Sequence, residues 1–324
     1  MNETPLVRSI VGVALNAAID RTVAVDRLHQ GAIHRPSILS NLPGGKAANA
    51  VRAAARLGLP GRVVAIVGGY AGAWYEHALK GLGVDLTAVV VDGETRTCLS
   101  VLDRSTGELT EFYEPGLAVP AGAWREVESG LIEALGQEPQ TGLVLLAGSL
   151  PPGVPVDAYQ RLGTICAARG AAWIIDVEGP ALLAALEASP WLVKINEREA
   201  AATTGLPRPA GTDDTAALEL AAWLSERGAR NVLLTRGLDG AVLHTPEGTW
   251  TVGPPPVTGP FAVGSGDALV AGLAVSLAQG RALPEAVRYG AAVAAANALV
   301  AGQGVFDSSQ VDEIEARITV TQRA

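Results

Sequence analysis

The sequence has little of several residues that mark common classes of protein. Only two of its 324 residues are cysteines, Cys98 and Cys166, and they are far apart and fit no metal-binding spacing, so a reducing compartment is expected. A net charge of −9 argues against a general nucleic-acid binder, because phosphate backbones need basic surfaces. No apolar run is long enough to span a membrane, and the N-terminus does not resemble a signal peptide. We therefore expect a cytoplasmic protein that binds neither nucleic acid nor membrane.

Several familiar catalytic and nucleotide-binding motifs are also missing. No Gly-x-Gly-x-x-Gly follows the first apolar segment, which disfavours a dinucleotide-binding Rossmann start. No Gly-x-x-x-x-Gly-Lys-Ser/Thr occurs, which excludes a P-loop phosphotransferase. The nucleophile motif Gly-x-Ser-x-Gly and any zinc pattern are absent, and the four histidines are scattered along the chain.

What is present predicts a folded α/β protein. Hydrophobic residues make up 48% of the chain and charged residues 18%, which is typical of a globular protein. Short apolar segments at 10–15, 62–67, 143–147, 173–176, 192–195 and 232–235 alternate with helix-like segments, a pattern that favours a mostly parallel sheet covered on both faces. The segments 16–42 and 84–116 are too polar for central strands, and we expect them to form a small separate sheet. The whole chain, 1–324, is expected to form one domain.

The most informative segment is Gly264-Ser265-Gly266-Asp267, which precedes the apolar helix-like run 268–278. The first turn of a helix has free N–H groups and partial positive charge, and glycine lets that backbone approach an anion closely. A carboxylate beside such a cradle would repel the anion unless it accepts a proton from an attacking hydroxyl. The alternative is an ordinary helix start with Asp267 in its first turn.

A second glycine-rich helix start, Pro43-Gly44-Gly45-Lys46, carries one of the few lysines, since lysine occurs only at 46, 80 and 194. Two interpretations are open, a ligand loop and a plain loop-to-helix junction. Asn16 and Asp20 follow the first apolar segment, where an α/β strand delivers residues to a ligand crevice.

Five motifs in order connect the chain to one family. They are Gly44-Gly45-Lys46 with Asn49, Glu94-Thr95-Arg96-Thr97, Gly148-Ser149-Leu150-Pro151-Pro152-Gly153, Lys194-Ile195-Asn196-Glu197-Arg198-Glu199 and Gly264-Ser265-Gly266-Asp267. Over nearly its full length the chain resembles the ribokinase-like carbohydrate kinases of the phosphofructokinase-B family. Leu15-Asn16-Ala17-Ala18-Ile19-Asp20 and the Glu-Thr-Arg-Thr segment favour the branch of tagatose-6-phosphate kinase and 1-phosphofructokinase.

The resemblance implies a three-layer α/β/α fold with a β-sheet lid, and transfer of the ATP γ-phosphoryl group, with Mg²⁺, to a sugar hydroxyl. Asp267 matches the catalytic base, which at a helix start is expected to be ionised, and the backbone of Gly264, Ser265 and Gly266 matches the anion hole. Glu199 is expected near Mg²⁺, through water. The residues implied on the nucleotide side are Lys194, Asn196, Glu199, Thr235, Gly237, Gly240 and Asn297, the last near the adenine.

On the substrate side, the resemblance implies binding by Asp20, Gly44, Gly45, Lys46, Asn49, Arg96 and Ser149. A phosphorylated sugar needs its own cations, and Arg96 and Lys46 are expected to supply them. The lid is implied to close over the substrate and to form a homodimer contact. The substrate is then tagatose 6-phosphate, fructose 1-phosphate or fructose 6-phosphate. The alternatives are an unphosphorylated sugar such as fructose or ribose, and a non-catalytic sugar or nucleotide sensor on the same fold.

The departures from the family pattern are small. Lys194-Ile195-Asn196 lacks the usual proline, and Gly45-Lys46-Ala47 replaces Gly-Lys-Gly. Arg236 replaces a leucine beside the nucleotide, where it contacts either a phosphate or solvent; we expect solvent.

Overall fold

The computed structural model describes residues 4–136, 142–208 and 214–323. Its strands are β1 (Ser9–Ala14), β2 (Ala18–Val25), β3 (Ser37–Gly44), β4 (Gly61–Val67), β5 (Asp85–Val90), β6 (Arg96–Asp103), β7 (Leu109–Tyr113), β8 (Gly142–Ala147), β9 (Ala172–Asp176), β10 (Leu192–Asn196), β11 (Val232–Thr235), β12 (Ala241–Thr245), β13 (Gly248–Val252) and β14 (Val320–Gln322). Its helices are α1 (Lys46–Arg56), α2 (Gly69–Gly81), α3 (Ala123–Leu135), α4 (Ala158–Ala168), α5 (Gly179–Leu186), α6 (Glu197–Thr204), α7 (Thr215–Glu226), α8 (Ser265–Ala278), α9 (Leu283–Asn297) and α10 (Val311–Glu315).

Ten of the described strands form one sheet in the order β14-β13-β12-β11-β10-β9-β8-β1-β4-β5. The strands from β11 to β5 are parallel to their neighbours, whereas β12, β13 and β14 pair antiparallel. The central strand β8 is buried along its whole length, as its unbroken apolar sequence predicts for a strand covered on both faces. The predicted mostly parallel sheet is therefore confirmed.

Helices cover both faces of this sheet and form two separate cores. One core joins α1, α2, α8 and α9 to one face, and the other joins α3, α4, α5 and α7 to the opposite face. Helix α8 is buried on nearly every side, because it lies between the sheet, α1 and α9. Its Gly272 lets α9 pack closely, since a Cβ there would lie 2.8 Å from the Cα of Gly290. This close packing fixes α8 against α9.

A second sheet contains four strands in the order β3-β2-β6-β7. Its strands lie within the two polar segments that the sequence separates from the main sheet. One part of that prediction is wrong: β5, which was assigned to the small sheet, pairs parallel with β4 at the edge of the main sheet. It follows α2 in a β-α-β crossover, and its polar pattern reflects an edge strand that is only partly covered.

Within the described residues, no helix has both the length and the apolar character needed to cross a bilayer. Both cysteines are buried and unpaired.

Candidate active site

A cleft of about 810 Å³ lies at the carboxyl ends of the parallel strands, next to the four-stranded sheet. This is where open α/β sheets bind ligands, because strand ends and helix starts converge there. The cleft collects residues from segments far apart in the chain. Those predicted from the sequence that line it are Asp20, Gly45, Lys46, Asn49, Arg96, Ser149, Lys194, Asn196, Glu199, Thr235, Gly237, Gly264, Gly266 and Asp267.

The start of α8 forms the floor of this cleft. Gly264 has φ 81°, a left-handed conformation that favours glycine, and it turns the chain into the helix. Gly266 approaches Lys194 so closely that a Cβ at this position would lie 2.6 Å from Lys194 Nζ. The N–H of Ser265 donates to the Ala262 carbonyl, whereas those of Gly266 and Asp267 have no acceptor among the described residues. These two N–H groups and the helix dipole can therefore bind an anion.

Asp267 is buried, and its Oδ2 accepts a hydrogen bond of 3.1 Å from Asn49 Nδ2. The same amide nitrogen donates to Asp20 Oδ2 at 3.0 Å, and the N–H of Gly45 reaches that oxygen at 3.4 Å. Asn49 thus connects the carboxylate of β2, which faces the substrate side, to the carboxylate of α8. This juxtaposition joins residues that are 218 positions apart in the chain.

The ionisation of Asp267 differs from the expectation. Burial, together with the negative charge of Asp176, raises the pKa of Asp267 to about 7, although Lys194, Lys46 and the bond from Asn49 oppose the change. A helix-start carboxylate was expected to be ionised well below neutrality. The side chain lies deep enough that desolvation outweighs the helix dipole and the nearby ammonium groups. A base whose pKa lies near neutral pH is well matched to proton transfer at that pH.

Asp176, at the end of β9, is the functional residue that the sequence reasoning missed. Its Oδ1 accepts from Lys46 Nζ at 2.8 Å and its Oδ2 from Lys194 Nζ at 2.6 Å. Burial by itself would favour the neutral acid, but the two ammonium groups outweigh it and hold the pKa of Asp176 at about 2. Asp176 raises the pKa of Lys46 in turn. The available signal was its place at the carboxyl end of a predicted parallel strand.

Lys46 occupies a different position from the one expected of a substrate-phosphate ligand. It bonds to Asp176, and Glu199 Oε1 lies 3.7 Å from its Nζ. Because both neighbours are carboxylates, much of its charge is already compensated. Lys46 therefore lines the cleft with an ammonium group that is already paired to carboxylates.

Asn196 and Glu199 form a capping box at the start of α6. Asn196 Oδ1 accepts from the N–H of Glu199 at 2.9 Å, and Glu199 Oε2 accepts from the N–H of Asn196 at 3.2 Å. The other oxygen of Glu199, Oε1, faces Lys46. Glu199 is thus both a helix cap and a carboxylate that lines the cleft. Among the described residues no group of three or more metal-ligating side chains could hold an ion by itself.

An apolar cleft of about 210 Å³ adjoins the main cleft and shares Thr235, Gly237 and Gly266 with it. Gly240 and Ser265, two further predicted residues, also line it. Its other walls are mostly aliphatic, contributed by residues such as Leu238, Val252, Val257, Leu269, Ala294 and Ala298. A flat, largely apolar ring fits such walls, with its polar edge towards the backbone.

Two predictions about residues near the apolar cleft need correction. Asn297 is buried and lines neither cleft: its Nδ2 lies 3.2 Å from the Val263 carbonyl and its Oδ1 accepts from the N–H of Gly304 at 2.8 Å. It holds loops together instead of facing an adenine. Arg236 is also buried, not in solvent, and it forms ion pairs with Glu197 and Asp214. Its side chain turns back towards the α6 side of the sheet, where these carboxylates compensate its charge.

On the substrate side, Arg96 begins β6 and lines the cleft. Its guanidinium donates to the carbonyls of Asn16 at 3.1 Å and Glu114 at 3.3 Å. No carboxylate of the described chain lies within ion-pair distance of it, so its charge is available to an anion. Ser149 accepts a bond of 2.8 Å from Asn16 Nδ2, and the carbonyl of Gly44 accepts from the buried Tyr75 hydroxyl at 3.1 Å.

The two residues before Arg96 fix where β6 begins. Both carboxylate oxygens of Glu94 accept from N–H groups of the first turn of α2, those of Tyr70 and Ala71. The hydroxyl of Thr95 accepts from the N–H of Gly68 at 3.0 Å. The Glu-Thr-Arg segment therefore anchors the small sheet to the main one and presents Arg96 at the junction.

The chain is similar to known proteins in both sequence and structure. The model of the pfkB family of carbohydrate kinases matches residues 10–308. A 1-phosphofructokinase from Xanthomonas campestris is 36% identical over 274 residues, which cover 82% of this chain and 83% of that protein. The 1-phosphofructokinase of Bacillus subtilis is 29% identical, over 96% of this chain and 99% of its own. The potassium complex of phosphofructokinase-2 from Escherichia coli superposes with a TM-score of 0.86 at 28% identity, over 95% of this chain and 98% of that one.

Proposed function

Because the chain belongs to the pfkB family of carbohydrate kinases, we propose that it transfers the γ-phosphoryl group of ATP to a hydroxyl of a ketohexose phosphate, which gives the bisphosphate and ADP. The observation that carries the proposal is Arg96, a guanidinium that lines the cleft and, among the described residues, donates only to carbonyl oxygens. Fructose 1-phosphate is the first substrate to test, with fructose 6-phosphate and tagatose 6-phosphate beside it.

The chemistry at the reacting hydroxyl is assigned to Asp267. Its carboxylate accepts the proton as the hydroxyl oxygen bonds to phosphorus, while the bond from phosphorus to the β–γ bridging oxygen breaks and its electrons leave with ADP. The N–H groups of Gly266 and Asp267 then lie where charge develops on the transferred group. Lys194, beside Gly266, adds a positive charge at the same place. Positioning and charge neutralisation supply most of the acceleration in such a loose transition state.

The apolar cleft is proposed to hold the adenine, because its aliphatic walls and its backbone edge at Gly237 and Gly240 suit a flat heterocycle. Glu199 fits a role in holding Mg²⁺, through water. Its Oε1 lies 3.7 Å from Lys46 Nζ and accepts no hydrogen bond from the described residues. Mg²⁺ is commonly bound by one or two carboxylates together with substrate phosphates and water. When bound, Mg²⁺ would supply charge neutralisation at those phosphates.

The phosphate of the sugar is proposed to bind Arg96, whose planar fork suits two phosphate oxygens. Asp20 and Asn49 are proposed to hold sugar hydroxyls, because their polar atoms line the same part of the cleft. The four-stranded sheet is proposed as the lid over the substrate and as the contact surface of a homodimer. The large exposed side chains of Ile38 and Phe112 on its outer strands support that contact.

The test is an ADP-release assay with ATP and Mg²⁺ against the three sugar phosphates, fructose and ribose. We expect turnover on at least one phosphate and poor turnover on plain sugars. Arg96→Ala should raise KM for the phosphosugar 10-fold or more, the loss of a charge-assisted contact of roughly 1.4 kcal/mol or above. It should barely change turnover on an unphosphorylated sugar.

Arg104→Ala is the matched control, because Arg104 directly follows β6 and donates to Ser37 of β3, and it does not line the cleft. It should leave KM unchanged. A parent enzyme that prefers fructose or ribose to the phosphates would contradict the phosphosugar assignment, and equal effects of the two substitutions would remove Arg96 from it.

A further inference from the structure

Arg52 is a buried cation whose hydrogen bonds go to neutral acceptors. It lies in α1, one turn after Asn49, and its side chain is 6% exposed. Nη2 donates to Asn49 Oδ1 at 2.8 Å and to the Gln303 carbonyl at 2.8 Å, and Nε has no partner in the described part of the chain. No carboxylate of the described residues lies within ion-pair distance of it, and the charges of Asp20 and Asp267 act on it only from further away. Such a residue is a candidate for a role that its packing does not explain.

The bond to Oδ1 decides which way the Asn49 amide faces. A side-chain amide has one acceptor oxygen and one donor nitrogen, and a guanidinium can only donate. With Oδ1 held by Arg52, Nδ2 must point towards Asp20 and Asp267, where it donates to both. The opposite orientation would place the amide oxygen against two carboxylates and its NH₂ against the guanidinium. Arg52 therefore excludes that orientation.

We propose that Arg52 is a positioning residue: it orients the Asn49 amide so that one nitrogen holds both the sugar-side carboxylate and the carboxylate of α8. The proposal rests on the proposed function, in which Asp267 is the base. This role explains why a charged side chain occupies an interior position. It also means that the bonds from Asn49 to Asp20 and Asp267 depend on Arg52.

The Gln303 bond extends the same arrangement. Gln303 adjoins Gly304, whose N–H donates to Asn297 Oδ1. The amide nitrogen of Asn297 donates in turn to the carbonyls of Phe261 and Val263, in the loop that precedes the helix start at Gly264. The bond to Gln303 thus holds the Arg52 guanidinium in place against the 303–304 segment, and Asn49 is its route to Asp267.

Arg56 offers a matched control on the same helix. It donates from Nε to the Phe306 carbonyl at 2.9 Å, so it also attaches α1 to the C-terminal segment, but it does not contact Asn49. We expect Arg52→Met to lower kcat 10-fold or more with KM for ATP within twofold. Arg56→Met should leave kcat within twofold, even if its midpoint of thermal unfolding falls as far as that of Arg52→Met. Equal kcat effects in the two variants would overturn the proposal.

A double-mutant cycle then tests the route through Asn49. In an Asn49→Ala background, Arg52→Met should lower kcat by less than twofold further, because there is no amide left to orient. Independent, multiplying effects would overturn the proposal. If Arg52→Met does not fold, the cycle is run with Arg52→Lys, whose nitrogen lies one bond short of the Nη2 position; a threefold loss of kcat, absent in the Asn49→Ala background, is expected.

The pH profile gives a readout that a packing role would not move. The groups that face Asp267 are Asp176, Lys194, Lys46 and Asn49, and Arg52 itself interacts with the Asp267 charge from further away. Arg52→Met should move the acid limb of kcat/KM to higher pH, and Arg56→Met should not. Loss of the Arg52 charge alone would move the limb equally with and without Asn49, so the positioning role requires a smaller movement in the Asn49→Ala background. An unmoved limb in active Arg52→Met overturns the positioning role. If the parent enzyme is inactive on every sugar phosphate, the proposed function is refuted, and not the positioning role.

Discussion

Replacing Asp267 with asparagine is expected to stabilise the protein above pH 7 while it removes most of the turnover. The pKa of Asp267 is raised from 3.8 to about 7 in the folded protein, chiefly by burial. Between these two values the folded state binds more protons than the unfolded state, so the free energy of unfolding falls as the pH rises through this window. Asparagine resembles the neutral acid and has no such dependence.

The magnitude follows from the size of the pKa change. About three pH units correspond to about 4 kcal/mol, at 1.36 kcal/mol for each unit. The gain in the free energy of unfolding from Asp267→Asn should be near zero at pH 4, grow between pH 4 and 7, and level off above pH 7. The figure is an upper limit, since the amide oxygen must keep the bond from Asn49. Turnover should fall by roughly 10² or more, as expected when a general base is lost.

Urea unfolding of both proteins at pH 4.5 and pH 8 checks the reasoning, with kcat measured on the same preparations. The refuting result is a variant that gains no stability at pH 8, or gains the same amount at both pH values. Either would mean that the folded Asp267 carboxyl does not carry the raised pKa. Near-normal turnover in the variant would separately remove Asp267 from the chemistry.

Three further predictions concern its neighbours. Asp176→Asn should move the acid limb of kcat/KM down by roughly one pH unit, because a negative charge that raises the pKa of Asp267 is removed; a limb that stays in place or moves up contradicts this. Glu199→Gln should raise the Mg²⁺ concentration needed for half-maximal rate while KM for the sugar is little altered. Glutamine can still complete the capping box with Asn196, so an unchanged Mg²⁺ titration would leave Glu199 a helix cap only. Asn297→Ala should lower the unfolding temperature and kcat with KM for ATP nearly unchanged; a selective rise in KM for ATP would restore the expected adenine contact.

Much of the fold was predictable from local pattern. Apolar segments such as Leu143–Ala147 predict buried strands because a strand covered on both faces needs apolar side chains at every position. The assignment of β5 to the small sheet is wrong because an edge strand has a mixed polar and apolar pattern whichever sheet it joins. Only its pairing with β4 shows that it belongs to the main sheet.

The sequence by itself determined the parts of the site that depend on short-range geometry. Two glycines around one residue and a following carboxylate favour a helix start that can bind an anion, and Asn196 and Glu199, three positions apart, have the spacing of the capping box that the structure shows. These features need no distant partner, so their residue types and spacing suffice.

Only the tertiary structure decided what those groups experience. The pKa of Asp267 depends on burial and on Asp176, which reaches the site from another strand. Arg236 can be buried because Glu197 and Asp214 form ion pairs with it. Asn297 is unavailable to a ligand because its side chain bonds to the loop that contains Val263. Arg52 contacts a carbonyl 251 residues away. Desolvation and Coulomb interactions depend on distances in space, and no spacing along the chain specifies them.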